Sequence, residues 1–205
     1  MGMTYSVKEI FYTIQGEGIN AGRPAVFCRF AGCNLWSGRE EDRATAQCMF
    51  CDTDFVGGAK YKLSDLAKFI AGAWSESNCP KFVVLTGGEP LLQVDKQLID
   101  ALHAEGFEIA VETNGSIAAP EGIDWLCVSP KTPEWKQRTG DELKLAFPQP
   151  GMMPENVDTA GFKYRLLQPI DGPHLKTNTE QAIAYCRRNP EWRLSVQIHK
   201  VIGIR

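Results

Sequence analysis

The chain has 205 residues, of which 43% are hydrophobic, and its formal net charge is −3 at pH 7. This composition excludes a disordered chain, because it supplies enough apolar residues to build one domain around a buried core. It also argues against a duplex nucleic acid partner, since such binding needs a basic face and no long run of Lys or Arg occurs. We therefore expect a single domain, residues 1–205, that binds small molecules and no nucleic acid.

The N-terminal residues lack the apolar segment of a secretory signal peptide, and no run approaches the about eighteen apolar residues of a membrane span. We therefore expect a cytoplasmic protein with no membrane partner. In that compartment clustered cysteines bind metal more often than they form disulfides. Gly2 fits the myristoylation pattern, but Met3 could equally be the natural start, so the origin of Gly2 stays open.

Short apolar runs rich in β-branched and aromatic residues predict seven strands along the chain. These strands are residues 24–30, 81–86, 107–113, 124–129, 142–147, 163–168 and 194–199. Apolar residues at helical spacing predict three helices, residues 64–74, 94–106 and 177–189. The strands and helices alternate, which indicates βαβ units and a largely parallel sheet.

Capping residues define the helix ends in this interpretation. Ser64 is the expected N-cap of the first helix, and Gly106 is expected to end the second. Thr177 and Glu180 have the spacing of a capping box at the start of the third. The Pro- and Gly-rich segment 148–161 is predicted to be a loop rather than a linker between domains.

The predicted fold class is α/β, an incomplete (β/α) barrel of the TIM type with few helices, because three helices are too few for eight βα units. Ligands bind such sheets beyond the carboxyl ends of the strands. Polar or glycine-containing segments lie at five of these ends, at residues 86–89, 112–115, 129–131, 168–171 and 197–199. We expect them to converge on one site.

Three of the seven cysteines form an unusual group, Cys33, Cys48 and Cys51, with gaps of fourteen and two residues. A structural zinc site needs four ligands, and Cys79 or His199 would have to supply the fourth. An iron–sulfur cluster held by three thiolates instead keeps one iron open to a ligand such as S-adenosylmethionine (SAM). The remaining Cys28, Cys127 and Cys186 lie in apolar patterns typical of a core.

Two motifs resemble those of the radical SAM superfamily: 48-CMFC-51 after the first predicted strand and 86-TGGEP-90 after the second. The usual first gap in that superfamily is three residues, so the fourteen residues between Cys33 and Cys48 are a departure. This insert carries the charged run 37–43, which we interpret as a solvated loop or a short helix. The resemblance implies a partial barrel, one [4Fe-4S] cluster and SAM as cofactor.

The full set of motifs resembles 7-carboxy-7-deazaguanine synthase, in a subgroup with the long first gap, and covers nearly the whole chain. The motifs are 12-YTIQGEG-18, 25-AVFCRFAGCN-34, 51-CDT-53, 86-TGGEP-90, 112-ETNG-115, 129-SPK-131, 168-QPID-171 and 193-RLSVQIHK-200. The resemblance implies cluster ligation by Cys33, Cys48 and Cys51, and a Mg²⁺ ligand in the hydroxyl of Thr53, since Mg²⁺ prefers oxygen. No residue is assigned as a catalytic acid or base.

The resemblance also implies two groups of binding residues. Those for SAM follow the C-x-x-C turn and the strand ends: Phe50, Cys51, Asp52, Gly87, Gly88, Glu89, Glu112, Asn114, Ser129, Pro130, Lys131, Gln168, Pro169, Ile170 and Asp171. Those for the substrate are Ile14, Gln15, Gly16, Glu17, Arg29, Thr86, His199 and Arg205. Glycines permit close approach of a ligand, and an arginine can pair a carboxylate in a fork. The terminal carboxylate of Arg205 is an open case, because the family ends in a smaller residue.

The reaction implied is a carbon–nitrogen lyase step, in which 6-carboxy-5,6,7,8-tetrahydropterin becomes 7-carboxy-7-deazaguanine and ammonia is lost. A 5′-deoxyadenosyl radical abstracts a hydrogen and later returns it, so SAM is regenerated, and the product serves as a queuosine precursor. The family also suggests a homodimer and a flavodoxin-type electron donor. Two alternatives stay open at this point: a radical SAM activase that acts on a partner polypeptide, and a non-enzymatic zinc module.

Overall fold

A computed structural model describes residues 4–75 and 79–205, so Gly2 and its myristoylation pattern lie outside the described residues. The strands are β1 (Thr4–Ile14), β2 (Pro24–Phe30), β3 (Ala59–Lys62), β4 (Lys81–Gly87), β5 (Phe107–Thr113), β6 (Trp125–Val128), β7 (Gly140–Phe147), β8 (Phe162–Pro169) and β9 (Trp192–Leu194). The α-helices are α1 (Leu63–Ala73), α2 (Lys96–Ala104), α3 (Leu175–Arg188) and α4 (Ile198–Ile202). Short 3₁₀ helices span Glu40–Thr45, Pro90–Leu92 and Pro154–Asn156.

All nine strands join one sheet in the order β3-β1-β2-β4-β5-β6-β7-β8-β9. Pairing is parallel from β2 through β9, whereas β1 pairs antiparallel with both β2 and β3. The sheet is therefore mostly parallel and accompanied by few helices, as predicted. Because the parallel strands run the same way, their carboxyl ends lie along one edge, where polar residues follow them.

The core lies between the sheet and the helices that cover its outer face. In β4 the four residues from Phe82 to Leu85 are all buried, which shows that both faces of this central strand are covered. Leu66 and Ile70 of α1, spaced by four residues, are fully buried. Each large apolar side chain removed from water in this way stabilises the fold by about 1.5–3 kcal/mol.

The strand prediction omits two strands and misplaces the last one. Strands β1 and β3 were not predicted, and the predicted strand 194–199 is wrong beyond Leu194. Ser195 still donates its backbone N–H to the Leu167 carbonyl at 2.9 Å, but the chain then leaves the sheet and turns into α4. The β-branched residues that suggested a strand belong to α4 and the segment before it.

The predicted helices exist, but two of their caps are wrong. Ser64 lies inside α1, whose N-cap is Lys62 without a side-chain cap. Thr177 lies inside α3, which begins two residues earlier at Leu175, so the capping box does not form. Gly106 ends α2 with a φ of 81°, as predicted, because glycine tolerates this left-handed backbone. No helix among residues 4–75 and 79–205 has both the length and the apolar character that crossing a membrane requires.

Candidate active site

A cavity of about 390 Å³ opens at the edge where the carboxyl ends of the strands meet. All five polar segments expected at these ends contribute to its wall. Every predicted site residue lines the cavity except Glu89 and Pro130. Sequence reasoning assigned no role in the site to further wall residues, of which Glu9, Asp54, Lys144 and Lys200 carry charged side chains.

The three clustered cysteines lie together at one end of the cavity. Cys33 follows β2, and its sulfur accepts the backbone N–H of Leu35 at 3.4 Å. A hydrogen bond from the Cys48 thiol lowers the pKa of Cys51 to about 6, although burial opposes it. No three His, Cys, Asp or Glu side chains in the described ranges are placed around a single metal ion. The donor set, three sulfurs distributed around one cavity wall, fits a multi-iron cluster with three thiolate ligands.

The other cysteines lie elsewhere. Cys28 and Cys127 are buried in the core, and burial raises the pKa of both thiols. Cys79 is exposed and precedes the amino end of β4, whereas Cys33 follows the carboxyl end of the neighbouring parallel strand β2. These two positions are separated by roughly 20 Å of strand. Cys79 therefore cannot complete a zinc site with Cys33.

Gly87 and Gly88 bring the backbone of β4 against the loop that carries Cys33. A Cβ on Gly88 would lie 2.1 Å from the Gly32 carbonyl oxygen and 2.9 Å from the Cys33 Cβ. Gly87 has a φ of 135°, and a Cβ there would lie 2.2 Å from the Phe30 carbonyl oxygen. Both positions thus require glycine, because a side chain at either one would push β4 away from the segment that leads to Cys33.

Glu89 was expected to contact SAM, but its side chain is fully buried and does not line the cavity. Its carboxylate accepts hydrogen bonds from the Leu91 and Asn114 backbone N–H groups and from the Thr113 hydroxyl, at 2.7–2.9 Å. Glu89 therefore joins the ends of β4 and β5 and supports the wall from behind.

A lysine and an aromatic ring form the wall next to the cysteines. Lys131 donates to the Ser129 hydroxyl at 2.6 Å, and its ammonium lies 5.7 Å from the centre of the Phe50 ring. Burial lowers the pKa of Lys131. This ammonium is placed to pair an anionic group in the cavity.

Lys200 of α4 ties the cysteine loop to the end of β8. Its ammonium pairs with Asp52, next to Cys51, and with Asp171 at 2.6 Å. Asp52 and Asp171, both expected to bind SAM, thus have a common cationic partner that the sequence did not reveal. The pairing fixes the distance between two segments of the cavity wall.

At the opposite end of the cavity, Glu17 and Lys144 form a buried ion pair. Lys144 donates to the Glu17 carboxylate at 2.6 Å, and Gln168 and Gln197 each donate to the same carboxylate at 3.0 Å. Burial alone would raise the pKa of Glu17, but the charge and hydrogen bond of Lys144 lower it to about 2. Burial alone would lower the pKa of Lys144, but the charges of Glu112 and Glu17 raise it, so Lys144 and Glu17 are both charged.

Glu112 belongs to this second end of the cavity, although the family resemblance placed it with SAM. It accepts hydrogen bonds from Gln15 at 3.0 Å and from Thr86 at 3.3 Å, and it lies 3.6 Å from Lys144. Two carboxylates and three side-chain amides, those of Gln15, Gln168 and Gln197, therefore surround one polar pocket. Gly16 lets the His199 ring pack directly against this part of the chain, since a Cβ at position 16 would lie 2.4 Å from that ring.

Glu9 links the two arginines expected to contact substrate. Arg29 donates its Nε to Glu9 at 2.9 Å, and the Arg205 guanidinium pairs with the same carboxylate. The Thr13 hydroxyl donates to the Arg205 terminal oxygen at 2.7 Å, and the Arg205 guanidinium lies 4.8 Å from the centre of the Phe11 ring. The C-terminus is therefore fixed at the cavity rim even though it ends in a large residue.

No family model matches the chain. Among curated proteins, it is 61% identical over 210 residues to 7-carboxy-7-deazaguanine synthase of Bradyrhizobium diazoefficiens, with 99% of this chain and all of that protein covered. It is 59% identical over 209 residues to 7-carboxy-7-deazaguanine synthase of Burkholderia multivorans, with 98% of this chain and all of that protein covered.

A solved structure, that of QueE from Escherichia coli, matches this chain with a TM-score of 0.71 and 24% identity. The match covers 96% of this chain and 95% of that one, which confirms the predicted partial barrel. The similarity to the two curated enzymes extends over the full length of each, and it shows that the chain belongs to the 7-carboxy-7-deazaguanine synthase family.

Proposed function

We propose that this enzyme converts 6-carboxy-5,6,7,8-tetrahydropterin to 7-carboxy-7-deazaguanine with release of ammonia, as a lyase that regenerates SAM. The observation that carries the proposal is one cavity with two unlike ends, three thiols at one and a carboxylate–amide pocket at the other. A cavity of about 390 Å³ is within the range of small-molecule sites. The product would enter queuosine precursor synthesis.

The thiol end suits the cofactors that the family implies, SAM and an iron–sulfur cluster. Cys33, Cys48 and Cys51 would hold the cluster, which supplies one electron to the SAM sulfonium and so starts radical chemistry. Gly87 and Gly88 line the cavity beside these thiols, where the methionyl amine would lie. The Lys131 ammonium, 2.6 Å from the Ser129 hydroxyl, is the partner for the methionyl carboxylate.

The polar end suits a pterin. The pyrimidine ring of a pterin carries an amide N–H and a 2-amino group, both hydrogen-bond donors, and the carboxylates of Glu17 and Glu112 are acceptors. Lys144 keeps the Glu17 carboxylate ionised in this buried setting, and its ammonium also lies 3.6 Å from the Glu112 carboxylate. Gln15 adds both a donor and an acceptor at the same wall, so this pocket can distinguish a pterin from a ring that lacks the amino group.

The carboxylate of the substrate needs a positively charged partner, and a Mg²⁺ ion bound beside it needs oxygen ligands. Arg29 uses its Nε for Glu9, which leaves its two terminal nitrogens for a carboxylate. Thr53 follows Cys51 by two residues and lines the cavity. Its hydroxyl is an oxygen ligand, the type that Mg²⁺ prefers. We propose that Thr53 is one Mg²⁺ ligand and that the substrate carboxylate supplies others.

The test is anaerobic incubation of the reconstituted enzyme with SAM, Mg²⁺, a reductant and the carboxypterin, followed by mass analysis. The expected result is 7-carboxy-7-deazaguanine, with many turnovers per SAM and no partner polypeptide present. A variant with Cys48→Ala serves as control and should form no product. If the cluster-loaded enzyme binds SAM and the pterin but gives no deazaguanine, the proposal is wrong, and an activase role becomes the alternative.

The family resemblance also supports a homodimer and a flavodoxin-type donor as partners. Light scattering of the purified enzyme tests the first, with a mass of about twice 22.8 kDa expected. Turnover driven by reduced flavodoxin in place of a chemical reductant tests the second. A monomer, or no turnover with flavodoxin, would contradict the respective proposal.

A further inference from the structure

The insert between Cys33 and Cys48 contains one side chain that does not behave like its charged neighbours. The run 37–43 was interpreted as a solvated loop or a short helix, and most of it forms the 3₁₀ helix Glu40–Thr45. Glu40 and Glu41 are 77% and 75% exposed. Arg43 is only 28% exposed, so its side chain lies against the protein.

Arg43 contacts the backbone of the C-x-x-C turn directly. One terminal nitrogen, Nη1, donates to the Met49 carbonyl at 2.9 Å and to the Cys51 carbonyl at 3.0 Å. Both carbonyls belong to the turn that presents the thiols of Cys48 and Cys51. A hydrogen bond from a charged donor is stronger than one from a neutral donor, so the pair of bonds restrains the turn.

The guanidinium is itself held in place on two other sides. Its Nε donates to the Glu40 carboxylate at 2.7 Å, and its Cζ lies over the Trp36 ring, 4.1 Å from the ring centre. Trp36 is in turn fixed by its bond to the Arg39 carbonyl at 3.1 Å and by an edge contact with Phe55. A planar, permanently charged fork stacked on an aromatic ring is a role that lysine cannot reproduce.

We propose that Arg43 is a positioning residue that braces the C-x-x-C turn, so that Cys48 and Cys51 face the cluster in the correct geometry. The long insert supplies this brace from outside the turn. Arg43 also places a fixed positive charge beside the Cys51 backbone, which favours the more negative, reduced state of a bound cluster. This inference rests on the proposed cluster. It assigns two separable effects to Arg43, which are restraint of the turn and an electrostatic shift of the cluster's midpoint potential.

The test compares Arg43→Met and Arg43→Lys with Arg39→Met. Arg39 lies in the same insert, is 70% exposed and pairs with Glu41 only at 3.8 Å, so it is a matched control. Each variant is reconstituted anaerobically, and the measurements are iron and sulfide per chain, the rate of iron loss to a chelator, and the cluster midpoint potential. Hydrogen exchange of the backbone amides at residues 48–52 is measured on the iron-free proteins.

We expect Arg43→Met to lose iron roughly tenfold faster than wild type, which corresponds to about 1.4 kcal/mol. Its midpoint potential should be more negative, and its amides at 48–52 should exchange faster. Arg43→Lys should keep a potential near that of wild type, because the charge remains, but should lose iron faster. Arg39→Met should match wild type in every measurement.

The proposal is overturned if Arg43→Met retains iron, potential and amide protection like wild type while wild type carries a full cluster. In that case the proposed function still stands. If wild type takes up no cluster under any reconstitution, both the proposed function and the role of Arg43 fail. If Arg43→Lys matches Arg43→Met in potential, the charge effect is refuted and only the restraint survives.

Discussion

The replacement Lys144→Met tests the buried ion pair at the polar end of the cavity. Methionine has a similar length to lysine but no charge and no hydrogen-bond donor. The Lys144 side chain is 6% exposed, and its ammonium lies 2.6 Å from Glu17 and 3.6 Å from Glu112. Without this ammonium, two carboxylates share a buried pocket with no cation between them.

Proton uptake limits how much the free energy of unfolding falls in Lys144→Met. A buried carboxylate without its partner binds a proton rather than remain charged, because burial raises its pKa. Neutralising a carboxyl group of ordinary pKa at pH 7 costs about 3 kcal/mol, at 1.36 kcal/mol for each pH unit. We therefore expect the free energy of unfolding to fall by about 3 kcal/mol, or about 6–12 °C in Tm for a domain of this size.

The pH dependence gives the sharper signature. In wild type the pKa of Glu17 is lowered to about 2, so its contribution is complete above the unfolded value of 4.5 and constant between pH 5.5 and 7.5. In Lys144→Met a carboxyl pKa is raised in the folded state, so stability is lost as pH rises towards that value, by up to about 1.4 kcal/mol per pH unit. The deficit relative to wild type should therefore be smaller at pH 5.5 than at 7.5.

The assay is thermal unfolding of the reconstituted proteins at pH 5.5 and 7.5, together with pterin affinity by calorimetry. Lys60→Met is the control, because Lys60 is an exposed residue of β3 that does not line the cavity. Affinity for the pterin should fall at least about tenfold in Lys144→Met. If Lys144→Met is as stable as Lys60→Met at pH 7.5, or its deficit grows as pH falls, the ion-pair reasoning is wrong.

Two further changes test the wall near the cysteines. Gly88→Ala should lose most SAM affinity, because its Cβ would lie 2.1 Å from the Gly32 carbonyl oxygen. The control is Gly72→Ala, where the Cβ meets nothing within 4 Å, and the free energy of unfolding should rise by about 0.5–1 kcal/mol. Binding isotherms and thermal unfolding check this pair, and normal SAM binding by Gly88→Ala would contradict it. Lys200→Met should raise the KM for SAM several-fold with little change in kcat, because Asp52 and Asp171 lose their common partner; an unchanged KM in steady-state assays would refute this.

The sequence predicted the parallel sheet and the convergence of its polar strand ends because both depend on local patterns. Runs such as 81–86 are apolar on both faces, as a central parallel strand requires. The motifs at the strand ends then meet by topology alone. Strand β1 was missed because most of its residues are only partly buried and because it includes the charged residues Lys8 and Glu9, so it does not look like a buried apolar run.

The missed side chains depend on contacts between distant parts of the chain. Lys144 lies between Leu143 and Leu145, both fully buried, and a charge inside such a strand was the available signal. Its partner Glu17 is 127 residues away, so no local pattern links them. Arg43 looked like one member of a solvated charged run, and only the fold shows that it reaches the turn between Cys48 and Cys51.

Cys33, Cys48 and Cys51 are proposed to hold a cluster with one iron open to SAM in this cavity. The most direct measurement is electron–nuclear double resonance on the reduced, reconstituted enzyme with SAM labelled with ¹⁵N in its amine and ¹⁷O in its carboxylate. We expect hyperfine coupling from both labels, which disappears when SAM is withheld or unlabelled. A reduced cluster that shows no coupling to either label, in enzyme saturated with SAM, would contradict the account.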